Sequence, residues 1–307
     1  MNLSIDFAFE GFRIIRQRPW LILFWGVLLL VGNGAVMLVL INMAGPALAS
    51  LQNPGNSADP SASLAALQQL LPAYGVILPL AILLQSVLSC AIFRAVLEKP
   101  SSRFGYVRLG GDEIRLILLY ICFVFVMIGA EIVCVGAGAI AGALLGVVLG
   151  MVSQTLAAVG MFVGISAGVI ALIWVVLRLS LFAVQSFDQK KINLFGSWKL
   201  TKGHGWTLFG GYVVSFVMVL LVYLLCLIIF GAIVVGFNGG NFAAMTPVFG
   251  KGMTSMAAFM SPVMITYTIL MNLFVSPLIL AIMVGAPAAA YKALSGTVLK
   301  SQIENTF

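Results

Sequence analysis

Charge is what this chain lacks. Only 8% of its 307 residues are Asp, Glu, Lys or Arg, and 62% are hydrophobic, whereas a soluble domain carries about 25% charged residues. That shortage excludes a water-soluble protein of this size, and the apolar excess excludes intrinsic disorder. Histidine is nearly absent too: His204 stands alone, without the second His or nearby Cys that a zinc site needs. A Ser-His-Asp hydrolase would need it as base beside an orienting acid. The nearest in sequence, Asp188, lies 16 residues away, and no phosphate-binding loop or glycine fingerprint occurs in a strand-to-helix context. No catalytic residue, metal or cofactor is expected, and the protein reads as a non-enzyme. Cysteine is sparse: Cys90, Cys122, Cys134 and Cys226 all lie inside apolar runs, so no disulfide framework is implied. The alternating segments of about ten residues that mark a membrane β-barrel are missing as well.

What is present is continuous apolar sequence, which in lipid must satisfy its own backbone as helix. Apolar segments fall at 20–45, 72–93, 115–150, 157–187, 206–237 and 263–291, predicting six spans. The 62 residues from Leu116 to Leu177 contain one charge, Glu131. At about 1.5 Å per residue they are too long for one crossing, so Ser153-Gln154-Thr155 marks a turn between two. Ala47-Leu48-Ala49 resembles a signal-peptidase site, but the apolar run before it, Trp20 to Ala44, has 25 residues. Signal cores run about 7–15, so a retained first helix is expected.

The net charge of +7 does not point to nucleic acid, because the cations flank the spans. Arg13, Arg16, Arg18, Arg94, Lys99, Arg103, Arg108, Arg115, Arg178, Lys190, Lys191, Lys199, Lys202, Lys292 and Lys300 fall on one side, and Lys251 alone on the other. Fifteen against one places both termini in the cytoplasm. The outer connections are then 46–71, the turn near 153–155, and 238–262.

Three segments that enter the membrane from the basic side look alike. Phe12-Arg13-Ile14, Val107-Arg108-Leu109 and Trp198-Lys199-Leu200 are each followed by five residues and then Trp20, Arg115 or Trp206, at spacings of 95 and 91 residues. The expected architecture is an all-α membrane protein of one integral domain, 1–307. Its six transmembrane helices form three helical hairpins, in repeat units of about 1–100, 101–190 and 191–307, each preceded by an amphipathic surface helix. In the first such helix Asp6, Glu10, Arg13 and Gln17 share one face, and Ile5, Ala8, Phe9, Phe12 and Ile15 the other; Pro19 separates it from the span. Arg13, Arg16, Arg108, Lys199 and Lys202 are expected to meet anionic lipid headgroups at the cytoplasmic face.

Leu177-Arg178-Leu179-Ser180-Leu181, followed by Leu194-Phe195-Gly196-Ser197-Trp198-Lys199-Leu200-Thr201-Lys202-Gly203-His204-Gly205-Trp206-Thr207-Leu208-Phe209-Gly210, resembles the glycerophosphoryl diester phosphodiesterase membrane-domain family and related bacterial six-span proteins. Those carry an arginine in an apolar helix, then a Ser-Trp-x-Leu-Thr-x-Gly-x-x-Trp segment before the next span. The resemblance covers about 35 residues closely and the six-span layout loosely. This chain departs from it in lacking a proline near Val184 and any soluble phosphodiesterase domain. The resemblance implies a bacterial inner-membrane location and association with lipid, not phosphodiesterase activity.

Glu131 is the most informative single residue, since an ionisable group inside lipid is costly and usually faces a bundle interior. A proton or cation site, a protonated structural carboxyl and an outer-interface position are all open. Arg178 is a possible partner, though about 10 Å apart from it in depth; snorkelling or bonding to carbonyls is its simpler role. Asn33, Asn42, Gln85 and Asn272 are further polar residues within the spans. Gly138, Gly142, Gly146 and Gly150 form a four-residue stripe, and Gly160, Gly164 and Gly168 another, the spacing that lets helix backbones approach. Met245, Met253, Met256, Met260 and Met264 read as gap fillers rather than a Cu(I) site. The leading expectation is a non-catalytic protein that engages lipid or a membrane partner. The alternative is a small-solute, ion or lipid transporter using Glu131.

Overall fold

The computed structural model describes residues 4–51, 60–97, 104–248 and 255–304. Their regular structure is entirely helical. The α-helices are α1 (Glu10–Gln17), α2 (Trp20–Leu51), α3 (Pro60–Leu97), α4 (Gly111–Gly150), α5 (Gln154–Leu179), α6 (Phe182–Gln189), α7 (Gly196–Leu200), α8 (Gly205–Phe237), α9 (Met256–Phe259), α10 (Pro262–Leu270) and α11 (Ser276–Glu304). Six helical stretches are long and apolar enough to cross a bilayer: Trp20–Ser50, Leu67–Leu97, Gly111–Gly150, Gln154–Gln189, Gly205–Phe237 and Pro262–Gly296. Large side chains such as Phe125, Ile132, Val147 and Ile170 stand exposed along them, which fits lipid rather than water as the solvent. The chain is a multi-pass membrane protein.

Several boundaries differ from the sequence reading. Helix α2 runs through Pro46 to Leu51 and α3 begins at Pro60, so most of the expected outer connection 46–71 is helical; 52–59 lie outside the described residues. Residues 60–71 are rich in Ala, Leu and Gln, good helix formers, and Pro60 suits a first helical position. Ala44, Ala47, Leu70 and Ala73 pack together there. The fourth span breaks after Leu179, and α6 is separate. In the connection 238–262, Asn241, Ser255 and Ser261 cap short helical turns through their side-chain oxygens. Lys99, Arg103, Lys251 and Met253 lie outside the described residues.

The contacts divide the chain into two compact units. One comprises Met1–Ile5, Gly110–Gly211 and Pro287–Phe307. In it α4 and α5 run antiparallel, joined by a turn in which Ser153 Oγ accepts from Leu156 N–H at 3.2 Å. Their backbones touch along the glycines. A Cβ on Gly138 would stand 2.6 Å from Gly164 O, one on Gly142 2.8 Å from Met161 O, and one on Gly160 2.8 Å from Gly146 N. Gly168 is as tight, 2.5 Å from Cys134 O, and Gly146 is somewhat looser, 3.0 Å from Ala157 O, whereas Gly150 is exposed and would meet only Ala157 Cβ, at 3.3 Å. Helix α6 packs on α4 where Phe182 stacks on Phe123, centroids 4.3 Å apart. The Tyr291 hydroxyl donates to Asp188 Oδ2 at 2.7 Å.

The other unit comprises Asp6–Leu109 and Tyr212–Ala286. Its first helical segment is a 3₁₀ turn (Ile5–Phe9) continued by α1. The buried face is Phe7, Ala8, Gly11, Ile14 and Ile15, while Ile5 and Phe9 stay exposed. This face is rotated from the expected one because Gly11 seats the helix on α11: a Cβ there would lie 2.5 Å from Ile282 Cα. Among the described residues between α3 and α4, only Phe104–Tyr106 is helical, as one 3₁₀ turn, and 107–110 are irregular. That turn is clasped from three sides. Trp25 Nε1 donates to Gly105 O at 2.9 Å, Arg94 Nη1 donates to Tyr106 O at 3.0 Å, and the Arg18 guanidinium lies 5.4 Å from the Tyr106 ring centre. Between α10 and α11, Met271–Val275 form a π-helical turn. Its Leu273 backbone fills the place a side chain on Gly26 would take.

Candidate functional site

Two places concentrate polar groups inside the apolar helices. The first is in the unit containing α2 and α3. Asn33 Nδ2 donates to Asn272 Oδ1 at 2.7 Å, and Asn272 Nδ2 donates to Thr268 O at 2.9 Å. Asn272 sits in the π-helical turn, a feature frequent at functional sites. Asn33, Gln85 and Ser276 line a cavity of about 430 Å³ with Leu29, Leu84 and Met283. Gln85 Nε2 donates to Ser89 Oγ at 3.2 Å. The structure thus brings Asn33, Gln85 and Asn272 together. It leaves Asn42 apart, donating to the carbonyl of Leu38 on its own helix. Glu131 is exposed on α4, a helix of 40 residues in which it occupies the middle.

The second place lies at the end of α5, where the two halves of the Arg-then-Ser-Trp-x-Leu-Thr motif converge. Two carbonyls in the last turn of α5 are taken by hydroxyls: Ser180 Oγ donates to Leu177 O at 2.8 Å, and Ser197 Oγ to Arg178 O at 2.9 Å. Thr201, fully buried, donates to Ser197 O at 2.9 Å and lies 3.4 Å from Arg178 O. The indoles of Trp174 and Trp198 meet edge to face at 5.0 Å. Gly203, with φ +86°, makes the left-handed turn into α8 that a side chain would strain. Beyond it His204 accepts from Leu208 N–H through its backbone carbonyl at 3.0 Å, so it opens α8.

Arg178 stands at the floor of the resulting cleft. Its guanidinium lies over Trp174, 5.2 Å from the ring centre, and its buried Nη1 has no hydrogen-bond partner. It pairs with no acid among the described residues. The cleft holds about 530 Å³, with Ile170, Ile173, Trp174, Thr201, Trp206 and Phe209 among its walls. Trp206 is 87% exposed. Trp174 escaped the sequence reading, although its position four residues before Arg178 puts both on one helix face.

The five cations expected to meet lipid headgroups are all at the surface. Arg13, Arg16, Arg108, Lys199 and Lys202 are exposed. Arg13 pairs with Glu10 at 3.1 Å, and Arg13 and Arg16 line a shallow cleft of about 450 Å³ with Phe9, Phe12 and Gln17. Among the described residues no three His, Cys, Asp or Glu side chains converge as metal ligands. No family model matches the chain, and no curated protein or solved structure matches it.

Proposed function

We propose that this chain is a non-catalytic integral protein of the bacterial inner membrane that engages anionic lipid headgroups at the cytoplasmic face. The observation that carries this reading is the pairing of exposed cations with aromatics, Arg13 and Arg16 beside the exposed Phe9 and the half-buried Phe12. Such a surface suits the headgroup layer, where each cation contributes about 1 kcal/mol toward an anionic membrane. The resemblance of 177–210 to a membrane-domain family of bacterial six-span proteins supports the same reading. The test is the lipid that survives purification in neutral detergent. Anionic phospholipid should be enriched over its share of the source membrane, and replacing Arg13, Arg16, Lys199 and Lys202 together by Gln should abolish the enrichment. Retained lipid of bulk composition in the parent would sink the reading.

The accompanying topology is three helical hairpins with both termini cytoplasmic, supported by the fifteen-to-one distribution of cations. A cysteine placed at Gly239 should react with an impermeant thiol reagent from outside intact cells, and one placed at Gln189 should not. The opposite pattern would invert the orientation. Transport is the second reading, and the cavity lined by Asn33, Gln85 and Ser276 favours it. The exposure of Glu131 does not.

A further inference from the structure

We propose that the cleft between α5 and the start of α8 is a binding site for one phospholipid, with its phosphate on Arg178 and an acyl chain on the apolar wall above. This deepens the lipid reading and rests on it.

Three observations converge. The first is an unused cation. An arginine in the last turn of a helix ordinarily serves the exposed carbonyls there. Here Ser180, Ser197 and Thr201 already hold the carbonyls of Leu177 and Arg178. Arg178 is left over the Trp174 ring, its buried Nη1 without an acceptor. Desolvating a guanidinium nitrogen without a partner is costly, so the site is completed by an acceptor from outside the protein. Among the described residues no carboxylate lines the cleft.

The second is the shape of the acceptor. A guanidinium presents a planar fork that matches two phosphate oxygens. The third is the order of groups along the cleft. Ile170, Ile173, Trp174, Leu177 and Arg178 line it from one helix, at the spacing of a single face. From Arg178 to Ile170 is about 12 Å along the axis, and the face changes from charged to aromatic to aliphatic over that length. Phe209 and Trp206 form the opposite wall. An exposed indole at the charged end suits the membrane–water interface. The volume of about 530 Å³ lies within the usual range for ligand sites. A water-soluble phosphate ester would satisfy Arg178 but leave Ile170, Ile173 and Phe209 uncovered, so the occupant is the lipid.

The experiment uses the delipidated full-length protein in neutral detergent, titrated with phosphatidylglycerol and followed by native mass spectrometry. Arg178→Gln should weaken the tightest lipid by about tenfold or more, the scale of a lost charge-assisted hydrogen bond. Diacylglycerol, which lacks the phosphate, should bind the parent about as weakly as phosphatidylglycerol binds that variant. Glycerol 1-phosphate should not displace the lipid. Trp206→Ala, at an exposed position, should weaken the same lipid severalfold without lowering the melting temperature, and it decides the matter if Arg178→Gln does not fold. Parent-like phosphatidylglycerol binding by the folded Arg178→Gln variant, or by Trp206→Ala if only that variant folds, overturns this site while leaving lipid engagement elsewhere intact. Displacement by glycerol 1-phosphate overturns the lipid as occupant. A parent that binds no phospholipid at all overturns the wider reading with it.

Discussion

Gly164→Ala should destabilise the protein by about 1–3 kcal/mol, the cost of forcing an extra methyl into a packed contact. Gly129→Ala should be neutral or stabilising by up to about 1 kcal/mol, the intrinsic helix preference of alanine over glycine. A methyl on Gly164 would stand 2.5 Å from Gly138 O and still nearer the backbone of Gly142, whereas one on Gly129 would meet nothing within 4 Å. Both residues lie inside long apolar helices, so propensity and hydropathy change alike and only the approach of the other backbone differs. Gly164→Leu should separate α4 from α5 and cost more than alanine does. Melting temperatures in one detergent give the comparison. Equal values for Gly164→Ala and Gly129→Ala would show that the glycine contact contributes nothing.

The second large effect is expected at the 104–106 turn. Arg94 is buried at 4% exposure and donates to the carbonyl of Tyr106, while Trp25 donates to that of Gly105. Arg94→Met keeps much of the side-chain length but removes the charged donor, leaving a buried carbonyl short of a partner. Hydrogen bonds to charged groups contribute about 1.5–3 kcal/mol, and a loss of that size is expected. Gly105→Ala attacks the same turn through the backbone. Its φ is +61°, and a Cβ would stand 2.5 Å from Phe24 Cδ1, so strain adds to a clash with a side chain that can partly move. Thermal unfolding followed by tryptophan fluorescence measures both. A parent-like midpoint for Arg94→Met would mean that this turn does not hold the unit together.

The amino-acid sequence alone was enough for the class of protein. Apolar run length and the scarcity of charge require helices in lipid, because a backbone with no water to bond must bond to itself; the six apolar helices follow from that. The turn at Ser153 was legible as well, since one polar break interrupts 62 residues that cannot cross in a single pass. Ends of helices were less legible. Residues 60–71 look like loop by their neighbours Asn, Pro and Ser, yet their own Ala, Leu and Gln carry helix on beyond the apolar core.

What only the tertiary structure decided is which side chains meet. Glycine spacing names the stripes, but it was the approach of α4 to α5 that buried Gly142 and Gly164 and left Gly150 exposed. Hydropathy treats Glu131 and Asn33 alike, as polar residues in apolar runs. Packing separates them: Asn33 finds Asn272, 239 residues away, through a π-helical turn that no local pattern announces, while Glu131 stays on an exposed face. Arg178 shows the same limit. Its sequence marks a cation in an apolar helix, for which snorkelling or carbonyl contacts are the simple expectation. The folded chain supplies Ser180, Ser197 and Thr201 to those carbonyls instead, because hydroxyls brought from 19 and 23 residues further along reach them first, and the guanidinium is left facing the cleft.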